Sequence, residues 1–195
     1  MATFTSSADT MIRDAAADTN FGTEDHVQVG ELKGGAFVDR ALVKFNLATI
    51  PTDATINTAT LRLYDVALDG SDNNRVMSVY RVLRAWVEGE ATWNHYAGTS
   101  DWGTVGCANT TSDREAGAIG TVNMPATEVE QYYEITLTAS KVQEWIDGTL
   151  ANNGVLLQMA TETDDLHKFS SNAAASNKPQ LVIDYTLPAG FFAIL

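Results

Sequence analysis

The residues best suited to chemistry in this sequence lie between positions 86 and 102. Trp86, Glu88 and Glu90 alternate. Thr92, Trp93, Asn94, His95 and Tyr96 then run unbroken, ahead of Asp101 and Trp102. Glu88 and Glu90 are two residues apart, so on a strand their carboxylates would share a face at about 7 Å, inside the separation that inverting glycosidases use. Catalytic carboxylates usually come from separate elements, however, and Glu88 reads better as a cap on backbone amides of its own loop. The aromatic residues suggest binding. Trp93, Trp102, Tyr96 and His95 offer flat rings for a sugar to stack on, with Asn94 and Asp101 as polar contacts. The plainer reading makes Trp86, Trp93 and Trp102 plugs of an apolar core.

Elsewhere the chemistry is sparse. His26, His95 and His167 are scattered, without metal-ligand spacing. There is no nucleophile elbow, phosphate-cradling glycine loop or zinc signature. Asp164-Asp165 and Asp113-Arg114-Glu115 read as solvated loop charges. The single cysteine, Cys107, excludes an internal disulfide framework and reads as a small buried apolar residue. No acid, base, nucleophile or metal set assembles, so the chain is expected not to be an enzyme. A structural calcium ion is a candidate cofactor, since Asp14, Asp18 and Asp184 offer hard oxygen ligands.

Charge narrows the partners. The chain carries 25 acidic and 12 basic residues, a net charge of −13. Phosphate binding needs a positive footprint, which excludes nucleic acid as a partner. No apolar run approaches the roughly 18 residues that span a bilayer, so no membrane insertion is expected. The N-terminus has neither a basic n-region nor an apolar h-region, which predicts synthesis in a host cytoplasm without a signal peptide.

The elements that must position these residues are short strands. Residues 40–47 alternate, with Leu42, Lys44 and Asn46 on one side and Ala41, Val43, Phe45 and Leu47 on the other. In 58–66, Ala59, Leu61, Leu63 and Asp65 share a face. Residues 76–83 are apolar on both faces, so that strand needs a layer on one side and a second layer or a long covering loop on the other. The tryptophan loop after it is expected to fold back onto the sheet and close one end of the core. Further strands are expected near 10–14, 27–30, 132–138, 154–161, 167–171 and 179–186, and 109–125 reads as an irregular excursion. Only 140–147 switches to a helical period, with Ser140 as N-cap and Gly148 as the stop. The fold class predicted is all-β, an antiparallel β-sandwich, jelly-roll-like, with one short α-helix. The organisation is an N-terminal arm (1–9), a sandwich domain (10–186) and an apolar C-terminal docking tail (187–195).

The order of motifs resembles the DNRLRE family of domains. It runs from Met11-Ile12-Arg13-Asp14 through Asn20-x-Gly22, Val29-Gly30, Arg40-x-Leu42-x-x-Phe45 and Ala59-x-Leu61-x-Leu63-Tyr64 to Val79-Tyr80-Arg81-Val82. Trp86-x-Glu88 with Thr92-Trp93 follows, then Trp145 with Gly148, Asn153-Gly154, Phe169-Ser170-Ser171 and Pro179-x-Leu181 before Tyr185. The resemblance covers roughly residues 10–186. It implies a β-sandwich similar to non-catalytic carbohydrate-binding modules, which usually sit in large secreted proteins or glycan-degrading enzymes.

Two functions follow as expectations. The first is a structural protein of a virus particle, a phage capsid decoration or fibre-like component on the virion surface. Its partners would be other capsid subunits and copies of itself, engaged through ordered termini and through Phe191, Phe192, Ile194 and Leu195, which a lone soluble chain would not leave exposed. The second is a carbohydrate-binding or adhesion module that meets surface glycans through Trp93, Asn94, His95, Tyr96, Asp101 and Trp102. The fold expectation is checked by far-ultraviolet circular dichroism: the helical fraction should stay below about a fifth.

Overall fold

The structure, a computed structural model, describes residues 1–69, 74–126 and 130–188. The strands in chain order are β1 (Ala2–Arg13), β2 (His26–Glu31), β3 (Val38–Phe45), β4 (Thr55–Asp69), β5 (Arg75–Arg81), β6 (His95–Ala97), β7 (Ser100–Asp101), β8 (Gly120–Met124), β9 (Gln131–Leu137), β10 (Val155–Met159), β11 (Leu166–Ser170) and β12 (Gln180–Thr186). Among the described residues one α-helix, α1 (Ala139–Ile146), stands between β9 and β10. Among the described residues no helix is long and apolar enough to cross a membrane.

The pairings are antiparallel and form a sandwich-like all-β fold. One sheet is built on β4. On one side β9 runs along it, with Ala59 opposite Leu137. On the other side β12 pairs with its first half and β11 with its second, and β1 and β2 flank these in turn. The second sheet runs β1, β3, β10, β5, β8. Two strands pass from one sheet to the other. In β1, Phe4 faces Leu181 in the first sheet, a bulge follows between Ser6 and Ala8, and Thr10 then faces Leu42 in the second. A bulge of this kind bends the strand and re-aims its side chains. β2 turns at Gly30, whose φ of 116° suits glycine and whose hydrogen faces the Asp165 backbone, where a Cβ would overlap.

Between the sheets lies a core that includes Val43, Phe45, Leu61, Leu63, Val79, Leu157, Phe169 and Ile183, closed by Val142, Trp145 and Ile146 of α1. A buried polar pair explains the carboxylate on the apolar face of β4. Asp65 Oδ2 lies 2.8 Å from His167 Nδ1 on β11, and both side chains are fully buried.

Several expectations change. Residues 1–9 are not a separate arm. Residues 2–9 are the first part of β1, because the β12 edge needs backbone partners and Phe4 packs against the core. The excursion at 109–125 contains β8, which pairs with β5. Thr138, not Ser140, is the N-cap of α1, and its hydroxyl donates to Ile119 O rather than into the helix. Phe191, Phe192, Ile194 and Leu195 lie outside the described residues.

The tryptophan loop does not close an end of the sandwich. It covers the outer face of the second sheet. Ile12, Leu42, Val82 and Leu156 point outward there and meet Trp86, Ala91, Trp102 and Cys107 in a second buried cluster. Gly154 sits where this layer meets β3. Its φ is 78°, its carbonyl accepts from Val82 N at 3.0 Å, and a Cβ would overlap the Val43 carbonyl. Gly154→Ala should therefore lower stability by about 2 kcal/mol or more, read as a lower urea midpoint.

Candidate functional site

The loop between β5 and β8 is organised around one carboxylate. Asp113 is fully buried. It accepts from the backbone N–H groups of Gly103 (2.8 Å), Thr104 (3.0 Å) and Asn109 (3.1 Å), from Arg84 Nε (3.0 Å) and from Ser112 Oγ (3.0 Å). Burial alone would push its carboxyl up. The donors outweigh burial and hold it below the usual carboxylate range. The expectation of a solvated charge is overturned here, and the same happens nearby. Glu115 pairs with Arg81, a guanidinium 1% exposed that also donates to Glu144 (2.7 Å) and Lys141 O (2.7 Å). Asp165 is fully buried and accepts from Glu31 N at 2.9 Å, while Asp164 accepts from Gly34 N at 2.8 Å. At Asp113 a loop folded over apolar surface must satisfy backbone N–H groups that water cannot reach, and one carboxylate accepts three of them; Asp164, by contrast, keeps contact with solvent.

Glu88 serves β1. Its Oε1 accepts from Asp9 N at 2.8 Å, so it caps another element and not its own loop. Asn20 Nδ2 donates to the carbonyls of Glu88 (2.6 Å) and Ala91 (2.8 Å) and pins this stretch from below. Glu88 is thereby a positioning group.

The aromatic residues divide. Trp86 and Trp102 are each 5% exposed, and their indole N–H groups donate to Asn153 O (2.7 Å) and Thr92 O (3.0 Å). Trp93 is half-buried with the Arg40 guanidinium 4.9 Å over its ring. Arg40 itself is held by Gly106 O and by both oxygens of Glu162. Tyr96 packs 5.7 Å from Trp102 and carries the Arg84 guanidinium at 4.9 Å. The rings therefore stack on the protein's own groups, and an open flat platform of Trp93 and Trp102 does not form.

What the loop presents is a concavity of about 590 Å³ with mixed polar and apolar walls, lined by Asn94, His95, Asp101, Trp102 and residues 103–105. The small β6–β7 hairpin sets its shape. His95 lies between two carboxylates, with Nδ1 2.7 Å from Asp101 and Nε2 3.3 Å from Asp18. Asn94 Nδ2 donates to Asp18 at 2.8 Å. The two carboxylates are largely in water, at 76% and 74% exposed, so each keeps acceptor capacity for a ligand.

The calcium ligands do not assemble. Asp14 Oδ1 accepts from Ala15 N and Val38 N, Asp18 belongs to the His95 cluster, and Asp184 meets Asn57 and the N-terminal ammonium. Among the described residues no group of three or more His, Cys, Asp or Glu side chains is arranged to hold a metal ion.

The sequence model of carbohydrate-binding module family 96 matches residues 1–185. The chain belongs to carbohydrate-binding module family 96. No curated protein matches it. Membership in family 96 supports the carbohydrate-binding side of the motif resemblance; the DNRLRE family itself is not the one matched. A carbohydrate-binding module is a non-catalytic class, which agrees with a Glu88 committed to a backbone amide.

Several residues that shape this family 96 module carried no local signal. Arg40 meets its loop partner 66 positions away and Glu162 at a distance of 122 positions. Asp9 is 2% exposed and accepts from Asn172 N at 2.7 Å and Ser6 Oγ at 3.2 Å. Burial pushes its carboxyl up to about 6 against these donors, and the Glu88 charge adds to the rise. A raised carboxyl pKa means the folded state holds its proton to higher pH than the unfolded chain does. Asp9 therefore adds stability at acid pH, and that contribution is lost as pH rises from about 4 to about 6. Asp9→Asn mimics the neutral form. Relative to the parent chain, its thermal stability should rise across this window and stay higher at pH 7–8, by up to about 3 kcal/mol. Thermal midpoints of both proteins at pH 4, 6 and 8 check this.

Proposed function

We propose that this domain is a non-catalytic carbohydrate-binding module that holds a glycan at the cavity of the tryptophan loop. The match of the family 96 sequence model to residues 1–185 carries the reading. The cavity suits it chemically. A sugar ring has a rim of hydroxyls and patches of C–H surface. Asn94 and Asp101 offer donors and acceptors that are already oriented, since His95 bridges Asp101 and Asp18 and holds the rim in place. The edge of Trp102 and the half-exposed Val105 offer apolar contact beside them. Arg40 beneath Trp93 and Asp113 beneath 103–109 stiffen the floor, so little ordering cost falls on binding.

Assembly into a virus particle through the C-terminal tail has no observation in its favour, and family membership favours the glycan. Affinity electrophoresis against a polysaccharide panel tests the proposal. At least one polysaccharide should retard the domain, with no release of reducing ends. His95→Ala should weaken that retention tenfold or more, about 1.4 kcal/mol. A panel without retention would remove the glycan reading. Turnover abolished by Glu88→Gln would make the protein an enzyme.

A further inference from the structure

The tryptophan loop does not hold the rim of its concavity alone. A second segment, residues 17–22 between β1 and β2, is fastened to it through four residues. Ala17 O accepts from Asn94 N at 3.0 Å. Asp18 Oδ1 accepts from Asn94 Nδ2 at 2.8 Å and lies 3.3 Å from His95 Nε2. Asn20 Nδ2 donates to the carbonyls of Glu88 and Ala91. Gly22 packs so closely that a Cβ there would lie 2.5 Å from the Glu88 carbonyl oxygen.

The consequence for Asn94 is chemical. A side-chain amide donates at one end and accepts at the other. Asp18 holds the donating end, which leaves Oδ1 as an acceptor without a donor among the described residues. Donors elsewhere in the lining are engaged in the same way. The indole N–H of Trp102 goes to Thr92 O, and the backbone N–H groups of Gly103 and Thr104 go to Asp113. The two guanidiniums that stack on the loop's rings are held as well, Arg40 by Glu162 and Arg84 by Asp113. Asp101 is 76% exposed, and its Oδ1 meets His95 while Oδ2 keeps open lone pairs. The polar groups left open at the rim are therefore chiefly acceptors. Such a rim needs hydrogens from its ligand. On a hexose or pentose the free hydroxyls supply them, whereas ester and ether oxygens only accept.

We propose that the site reads sugar hydroxyls as hydrogen-bond donors to Asn94 Oδ1 and Asp101, with Asp18 as the residue that positions Asn94, so that its ligands are unsubstituted polysaccharides and O-acetylated chains are rejected. The proposal rests on the carbohydrate-binding reading above and deepens it. An acetylated hydroxyl brings no hydrogen and leaves these acceptors unpaired, and a site built to pair with a hydroxyl discriminates against the analogue that lacks one.

Affinity electrophoresis of the full chain tests this. The probes are soluble β-glucan, xylan, glucomannan and galactomannan, each run deacetylated and chemically O-acetylated. A polymer that binds should hold the chain about fivefold or more tightly in its deacetylated form. Asp101→Asn puts a donor where acceptors stood, at the same size. It should weaken binding of the deacetylated polymer about fivefold and at least halve the preference over the acetylated one, because an amide N–H can meet an ester oxygen. Asp18→Ala should weaken binding by a similar factor, and Asp18→Asn, which keeps an oxygen for Asn94, should recover most of that loss. Both carboxylates are largely in water, so thermal midpoints should not move. If a polymer binds equally in both forms, or Asp101→Asn leaves the preference as it was because bulk alone excludes the acetyl group, the donor reading is wrong and the glycan site stands. If Asp18→Ala binds like the parent chain, the positioning role is wrong. If no probe retards the chain, the glycan reading fails and this one falls with it.

Discussion

Water cannot be left against either face of the second sheet, and the rest of the structure depends on that constraint. Val79 and Leu157 point into the sandwich while Leu42 and Leu156, in the same layer, point out of it. The inner set is covered by the first sheet. The outer set has only the long segment between β5 and β8 to cover it, so that segment must lie flat on the sheet. Trp86 and Trp102 are large enough to fill the space, and burying each contributes on the order of several kcal/mol by area.

A loop pressed onto apolar surface loses water from its own backbone, and its polar chemistry answers that loss. Asp113 gathers three backbone N–H groups, Asn20 two carbonyls, and the buried tryptophan N–H groups two more. The arginines act as clips between layers. Arg81 ties the loop to α1 through Glu115 and Glu144, and Arg40 ties it to the turn before β11 through Glu162. Breaking such pairs by removing one partner is costly because the other charge stays buried. This is why an acid-rich chain can keep several carboxylates inside.

The same stiffness makes the loop a useful binding surface. Aromatic rings that stack on arginines and on each other do not present open faces, but they hold Asn94, His95 and Asp101 still at the rim. Recognition then falls to hydroxyl-matching polar groups more than to ring stacking, a different division of labour from the one the aromatic residues alone suggest.

Sequence by itself determined the helix, the sandwich and the strands with a clear alternating or apolar pattern, though not β8 or the first half of β1. Alternation in 40–47 and 58–66, the helical spacing of Val142, Trp145 and Ile146, and the two-sided apolar pattern of 76–83 are local signals, because side-chain periodicity follows backbone geometry residue by residue. The motif order likewise pointed to a carbohydrate-binding sandwich. Tertiary structure decided which side chains face water. Asp113 and Asp165 read as solvent charges, Trp102 as either a core plug or a stacking plate, and Asp14, Asp18 and Asp184 as candidate calcium ligands. Their surroundings come from residues tens to more than a hundred positions away, and no local pattern encodes a partner at that distance. Burial and hydrogen bonding belong to the assembled layers, so they became readable only when the loop was seen lying on the sheet.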